Sequence, residues 1–125
     1  METMLDRGYR VTGAVVNVVA VTGATAQIIY PISNFAGQIG TKTFKPRKLM
    51  VRNNAGGNLW LSLGTLVGGA FTNRLPPVRV LNNMDNEWVE YELPAAEFAL
   101  DMRAFCDALI AGGSCDVCVE AEEVG

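Results

Sequence analysis

In "LMVRNNAGGNLWLSLG", residues 49–64, apolar side chains recur at every second position on both sides of a break built from asparagine, alanine and glycine. A period of two is the signature of a strand, because successive side chains point to opposite faces; a helix needs apolar residues three and four apart. Ahead of the break, Leu49 and Val51 stand against Met50 and Arg52. After it, Leu59, Leu61 and Leu63 share one face and Trp60 and Ser62 the other. The "NNAGGN" between them supplies residues that tolerate positive φ, as a hairpin turn requires. The three leucines claim the core, which leaves Trp60 on the opposite face.

The same grammar runs through most of the chain. "VTGAVVNVVAV" and "AQIIYPIS" are β-rich runs separated by "TGAT", and residues 34–46 read as a long Gly/Thr/Lys surface loop. A Gly68-Gly69 break and "FTNRLPP" lead to "VRVL", and "NNMDN" then reverses the chain into "EWVEYEL". In that last run Val89, Tyr91 and Leu93 share one face, and Trp88, Glu90 and Glu92 the other.

Residues 94–111 fit two readings. As a helix, Pro94 begins the first turn, Phe98, Met102, Phe105 and Leu109 form a stripe, and Gly112-Gly113 ends it. As a strand, Phe98, Leu100, Met102, Ala104 and Cys106 face in while Glu97, Asp101, Arg103 and Asp107 face out. The strand reading is favoured because it puts every charge on one side. The closing "CDVCVEAEE" sets Cys115, Val117, Val119 and Ala121 against Asp116, Cys118, Glu120 and Glu122, and it would pair with the preceding strand across "LIAGGS". The expected fold is a polar arm over 1–10 and a single all-β domain over 11–125. Its architecture is a β-sandwich or jelly roll, with a possible helix at 94–111.

Composition prunes the functions. The chain of 125 residues contains no histidine. Ser-His-Asp and Cys-His nucleophiles, His-Glu-x-x-His zinc sites and imidazole bases are therefore all out of reach. A jelly-roll enzyme of the cupin type needs histidine ligands and is rejected on the same ground. "CDVC" has redox or zinc-knuckle spacing, but it is a single pair, and positions three apart on a strand face opposite ways. Half-buried thiols are the plainer reading, and Cys106 and Cys115 could meet across a hairpin, with a disulfide left open. Glu90 and Glu92 resemble a glycosidase pair only in type, since both stand on one solvated strand face. The glycine segments lack a P-loop lysine and the dinucleotide fingerprint. No catalytic residue, cofactor or metal is expected. No run approaches the roughly 20 apolar residues of a membrane span.

Charge is unevenly distributed. Residues 1–82 carry nine Lys/Arg against Glu2 and Asp6, whereas residues 83–125 carry eleven Asp/Glu against Arg103 alone. Either a sandwich mixes the halves in space so that they cancel, or the split serves complementarity between copies or with a partner. Nucleic-acid binding through "KTFKPRK" is not expected, because the net charge is −3 and aromatic interleaving is thin. Trp60 and Trp88 fall on faces that the core leaves over. They either cover a second sheet or anchor a subunit contact, where Trp and Arg are enriched. With them, Arg47, Lys48, Arg52, Glu90 and Glu92 are the candidate interface residues.

The stretch "PRKLMVRNNAGGNLWLSLGT…LPPVRVLNNMDNEWVEYELP", roughly residues 46–94, resembles small virion proteins of tailed bacteriophages, nearest in kind to capsid decoration (cement) proteins. The resemblance implies a β-rich protein, often trimeric, seated on the outer capsid surface against the major capsid protein. It brings no catalytic residue. A carbohydrate-binding module using Trp60 and Trp88 on one sheet face is the alternative.

Overall fold

The computed structural model describes residues 10–35, 43–82, 87–94, 96–107 and 114–124. Within them run ten strands: β1 (Arg10–Thr12), β2 (Val16–Val18), β3 (Gln27–Tyr30), β4 (Thr43–Asn53), β5 (Leu59–Val67), β6 (Ala70–Asn73), β7 (Val78–Val80), β8 (Val89–Glu92), β9 (Met102–Asp107) and β10 (Cys115–Val124). They form two five-stranded antiparallel sheets. One runs β1-β10-β4-β8 with β2 also on β10, and the other β3-β9-β5-β6 with β7 also on β5. The pairing is nested: β1 and β2 join β10, β3 joins β9, β4 joins β8, and β5 joins β6 and β7. That wrapping of first strand against last is the jelly roll, an all-β sandwich as the alternation implied. Of the arm expected over 1–10, only Arg10 is described, and it opens β1.

The faces of β5 and β10 follow period two. Leu59, Leu61 and Leu63 from one sheet, and Cys115, Val117, Val119 and Ala121 from the other, are buried between the sheets. Leu49, Val51, Met102 and Ala104 join them. At one place in this core Phe44 contacts Tyr30 and Phe98, with ring centroids 4.9 and 5.4 Å away.

Connectivity departs from the sequence reading at three reversals. "NNAGGN" is not a hairpin turn: β4 and β5 lie in different sheets, so the segment is an arch across the sandwich. Asn53, 2% exposed, holds it. Its Oδ1 accepts the Ala55 N–H at 2.8 Å, and its Nδ2 donates to the Gly57 and Leu81 carbonyls at 3.0 and 3.2 Å. The true two-residue hairpin is Gly68-Gly69 between β5 and β6, where Val67 pairs with Ala70 and the glycines have φ of 59° and 85°. Positive φ at both central residues matches strand twist and favours glycine. Likewise β7 and β8 lie in different sheets, as do β9 and β10, so neither "NNMDN" nor "LIAGGS" joins paired strands.

Two local expectations also change. Residues 43–46, read as loop, begin β4, with Phe44 and Pro46 buried. A bulge hides them: pairing steps from Glu120–Lys48 to Ala121–Pro46, leaving Arg47 as the extra residue. Inward parity therefore switches from even numbers (44, 46) to odd (49, 51, 53), and a single period cannot be read across it. In 96–107 there is no helix; β9 runs Met102–Asp107 with Met102, Ala104 and Cys106 buried, as the strand reading had it. Phe98 is buried through an isolated bridge to Phe44, but Leu100, expected inside, is 48% exposed because the chain bends before β9 begins. On the edge strand β8, Val89 is likewise 39% exposed although its face is the inner one.

Candidate functional site

Both tryptophans stand on outer faces, and each is capped by an arginine. Trp60 alternates with core leucines of β5, so its indole leaves the sandwich on the β3-β9-β5 sheet. Arg79 of β7, directly opposite in register, lies 5.3 Å from the ring centroid. Trp88 precedes β8 and leaves the other sheet, where Arg52 of β4 lies 5.2 Å from its ring centroid. Each tryptophan is 42% exposed. A guanidinium over an indole face is attracted by the ring quadrupole and restrains the ring, which stays partly exposed. The two indoles point away from one another, so they do not share a platform.

Arg52 also belongs to a polar cluster that spans three strands. Its Nε and one terminal nitrogen donate to Asp116 Oδ2 at 3.1 and 2.8 Å, and Asn54 Nδ2 donates to the same oxygen at 3.0 Å. Asn17 Nδ2 donates to Oδ1 at 2.8 Å. Burial works against the charge on Asp116, but the hydrogen bonds from Asn17, Arg52 and Asn54, with the Arg52 charge, outweigh it and lower its pKa below the usual carboxylate value. The carboxylate thus ties β2, β4 and β10 to the base of the Trp88 site.

Of the other interface candidates on this sheet, Arg47, Lys48 and Glu90 are in ion pairs within the chain. Lys48 meets Glu90 at 3.4 Å, Arg47 meets Glu122 at 3.8 Å, and Arg10 meets Glu120 at 3.3 Å. Glu92 lines a small cleft of about 130 Å³ with Arg10, Arg47, Lys48 and Leu93. The reason is topological: basic β4 is flanked by acidic β8 and acidic β10, so the uneven halves of the sequence interleave on one sheet. Glu90 and Glu92 are both exposed, the solvated face expected of them.

Asn17, Asn53, Asn54, Arg79 and Asp116 were not singled out from the sequence. Period two gives Asn17, Arg79 and Asp116 a face, and turn chemistry accounts for Asn53 and Asn54, but neither names a neighbour on the next strand. A second cleft, about 290 Å³, is lined by Thr65, Val67, Thr72, Arg74, Glu97, Ala99 and Leu100. Among the described residues no group of three or more His, Cys, Asp or Glu could hold a metal, and no helix is long and apolar enough to cross a membrane.

Fold and site together define a small jelly-roll sandwich that displays an arginine-capped indole on each outer face. No known family model matches the chain, and no curated protein matches it.

Proposed function

We propose that this chain is a non-enzymatic virion structural protein, a capsid decoration protein that binds and stabilises the outer shell. In this reading it self-associates, with a trimer favoured, and contacts the major capsid protein. The carrying observation is the pair of half-exposed indoles on opposite outer faces, each backed by an arginine. Trp and Arg are the side chains that most often dominate an interface, and two such centres facing apart suit a protein that bridges two surfaces. Charged residues around Trp88 are already paired within the chain, so they serve as a rim that sets register more than affinity. The likeness of residues 46–94 to decoration proteins supports the same reading. No reaction, cofactor, nucleic acid or membrane enters it.

The alternative, a carbohydrate-binding module, needs aromatic side chains arrayed along one face, and Trp60 and Trp88 face apart. The test is to mix the purified protein with empty phage shells and measure occupancy and the force at which shells rupture. Binding with a raised rupture force supports the proposal. A protein that stays monomeric, leaves shells bare and binds an oligosaccharide overturns it.

A further inference from the structure

We infer that Cys106 and Cys115 form a site of reversible oxidation, at which a peroxide-class oxidant closes a disulfide between the two sheets. Cys106 lies in β9 of one sheet and Cys115 opens β10 of the other, and their sulfurs approach to 3.2 Å in the core. Both are fully buried free thiols. A disulfide bond is about 2 Å long, so closure asks for roughly an ångström of movement, within reach of side-chain rotation. The third cysteine is separate: Cys118 lies on the outer face of β10, with its Sγ 3.3 Å from the Gly13 carbonyl oxygen.

The chemistry balances with two electrons. The Cys106 thiolate attacks one peroxide oxygen, giving a sulfenic acid and, after proton uptake, water. The Cys115 sulfur then attacks the sulfenic sulfur, and the hydroxyl departs as a second water with the Cys115 proton. Overall two thiols and one hydrogen peroxide become one disulfide and two waters. The sulfurs share a 3.2 Å hydrogen bond that either can donate. This contact lowers the pKa of Cys106 against the opposing effect of burial, which favours Cys106 as the first nucleophile. The same bond, together with burial and the neighbouring charges, raises that of Cys115.

The cross-link would join β9 of one sheet to β10 of the other through their facing inner side chains. It closes a short loop, so the gain in stability is modest, and it opens again with thiol reductant. Burial makes the reaction slow in the native state, since peroxide reaches the sulfurs only through local opening. The site does not depend on the virion reading, although a chain that moves from reducing to oxidising surroundings would acquire it.

The test is hydrogen peroxide treatment of the full chain, followed by thiol titration in denaturant, intact mass and non-reducing peptide mapping. Expected are the loss of two titratable thiols, a mass lower by two hydrogen atoms, and a linked peptide joining Cys106 to Cys115. The thermal midpoint should rise and fall back on adding dithiothreitol. A Cys118→Ser variant should behave the same way with no free thiol remaining. Mass gain by oxygen alone, a link through Cys118, disulfide-bonded dimers in place of the internal link, or full retention of thiols would each overturn the inference.

Discussion

Arg52 and Asp116 sit directly opposite one another on β4 and β10, with two guanidinium nitrogens within 3.1 Å of one carboxylate oxygen. Because the pKa of Asp116 is lowered in the folded state, its contribution to stability is present above the unfolded value of 3.8 and is lost as pH falls through the folded one. Asp116→Asn should cost about 1–2 kcal/mol at neutral pH, the low end for charge-assisted bonds because Arg52 keeps 41% of its side chain exposed. Urea titrations across pH should show the gap between the variant and the parent closing in acid. A gap independent of pH would mean that shape, not charge, matters at this position.

Trp60→Ala and Trp88→Ala should leave the monomer folded, at a cost of about 1 kcal/mol each from the lost arginine contact. Association should weaken by about 2 kcal/mol or more if the indoles anchor contacts. Sedimentation over a concentration series, beside thermal melts, separates the two effects. Unfolding of both variants would make the indoles structural.

Asn53→Ala removes the side chain that holds the β4–β5 arch, leaving the Ala55 N–H and the Gly57 and Leu81 carbonyls without it. A loss of about 2–3 kcal/mol is expected in denaturant titration. Asn53→Asp is the sharper variant. A carboxylate there still accepts from Ala55 but faces two carbonyl oxygens, so its folded pKa is raised. Stability should be best retained in acid and decline as pH rises.

Gly64 and Gly56 should respond differently to alanine. A Cβ on Gly64 would lie 2.0 Å from the Thr72 carbonyl oxygen of β6, backbone that cannot move without opening the edge pair. Gly64→Ala should cost about 2–3 kcal/mol and expose the β6 amides to hydrogen exchange. Gly56 has nothing within 4 Å but a φ of +81°, so Gly56→Ala should cost about 1–2 kcal/mol with exchange unchanged in β6.

What the sequence by itself determined is the set of faces. Alternation in "LWLSLG" and "CDVCVEAEE" put the leucines and the Cys115–Ala121 row inside and Trp60 outside. It did so because each side chain's face depends only on its neighbours along the strand. Trp88 and the β9 residues Met102, Ala104 and Cys106 follow the same rule. Tertiary structure decided which strand lies beside which. "NNAGGN" and Gly68-Gly69 both satisfy the chemistry of a turn, yet one crosses the sandwich and the other closes a hairpin. What separates them is the pairing of β4 with β10 and β8, whose partner residues lie far along the chain. The bulge at Arg47 is settled by the same pairing, as is the meeting of Asp116 with Arg52, Asn17 and Asn54. The approach of Cys106 to Cys115 depends on it too, through the packing of one sheet on the other. The charge halves show the division most plainly. Their separation is written in the order of residues, and their neutralisation comes from nested wrapping, which lays the basic β4 between the acidic β8 and β10.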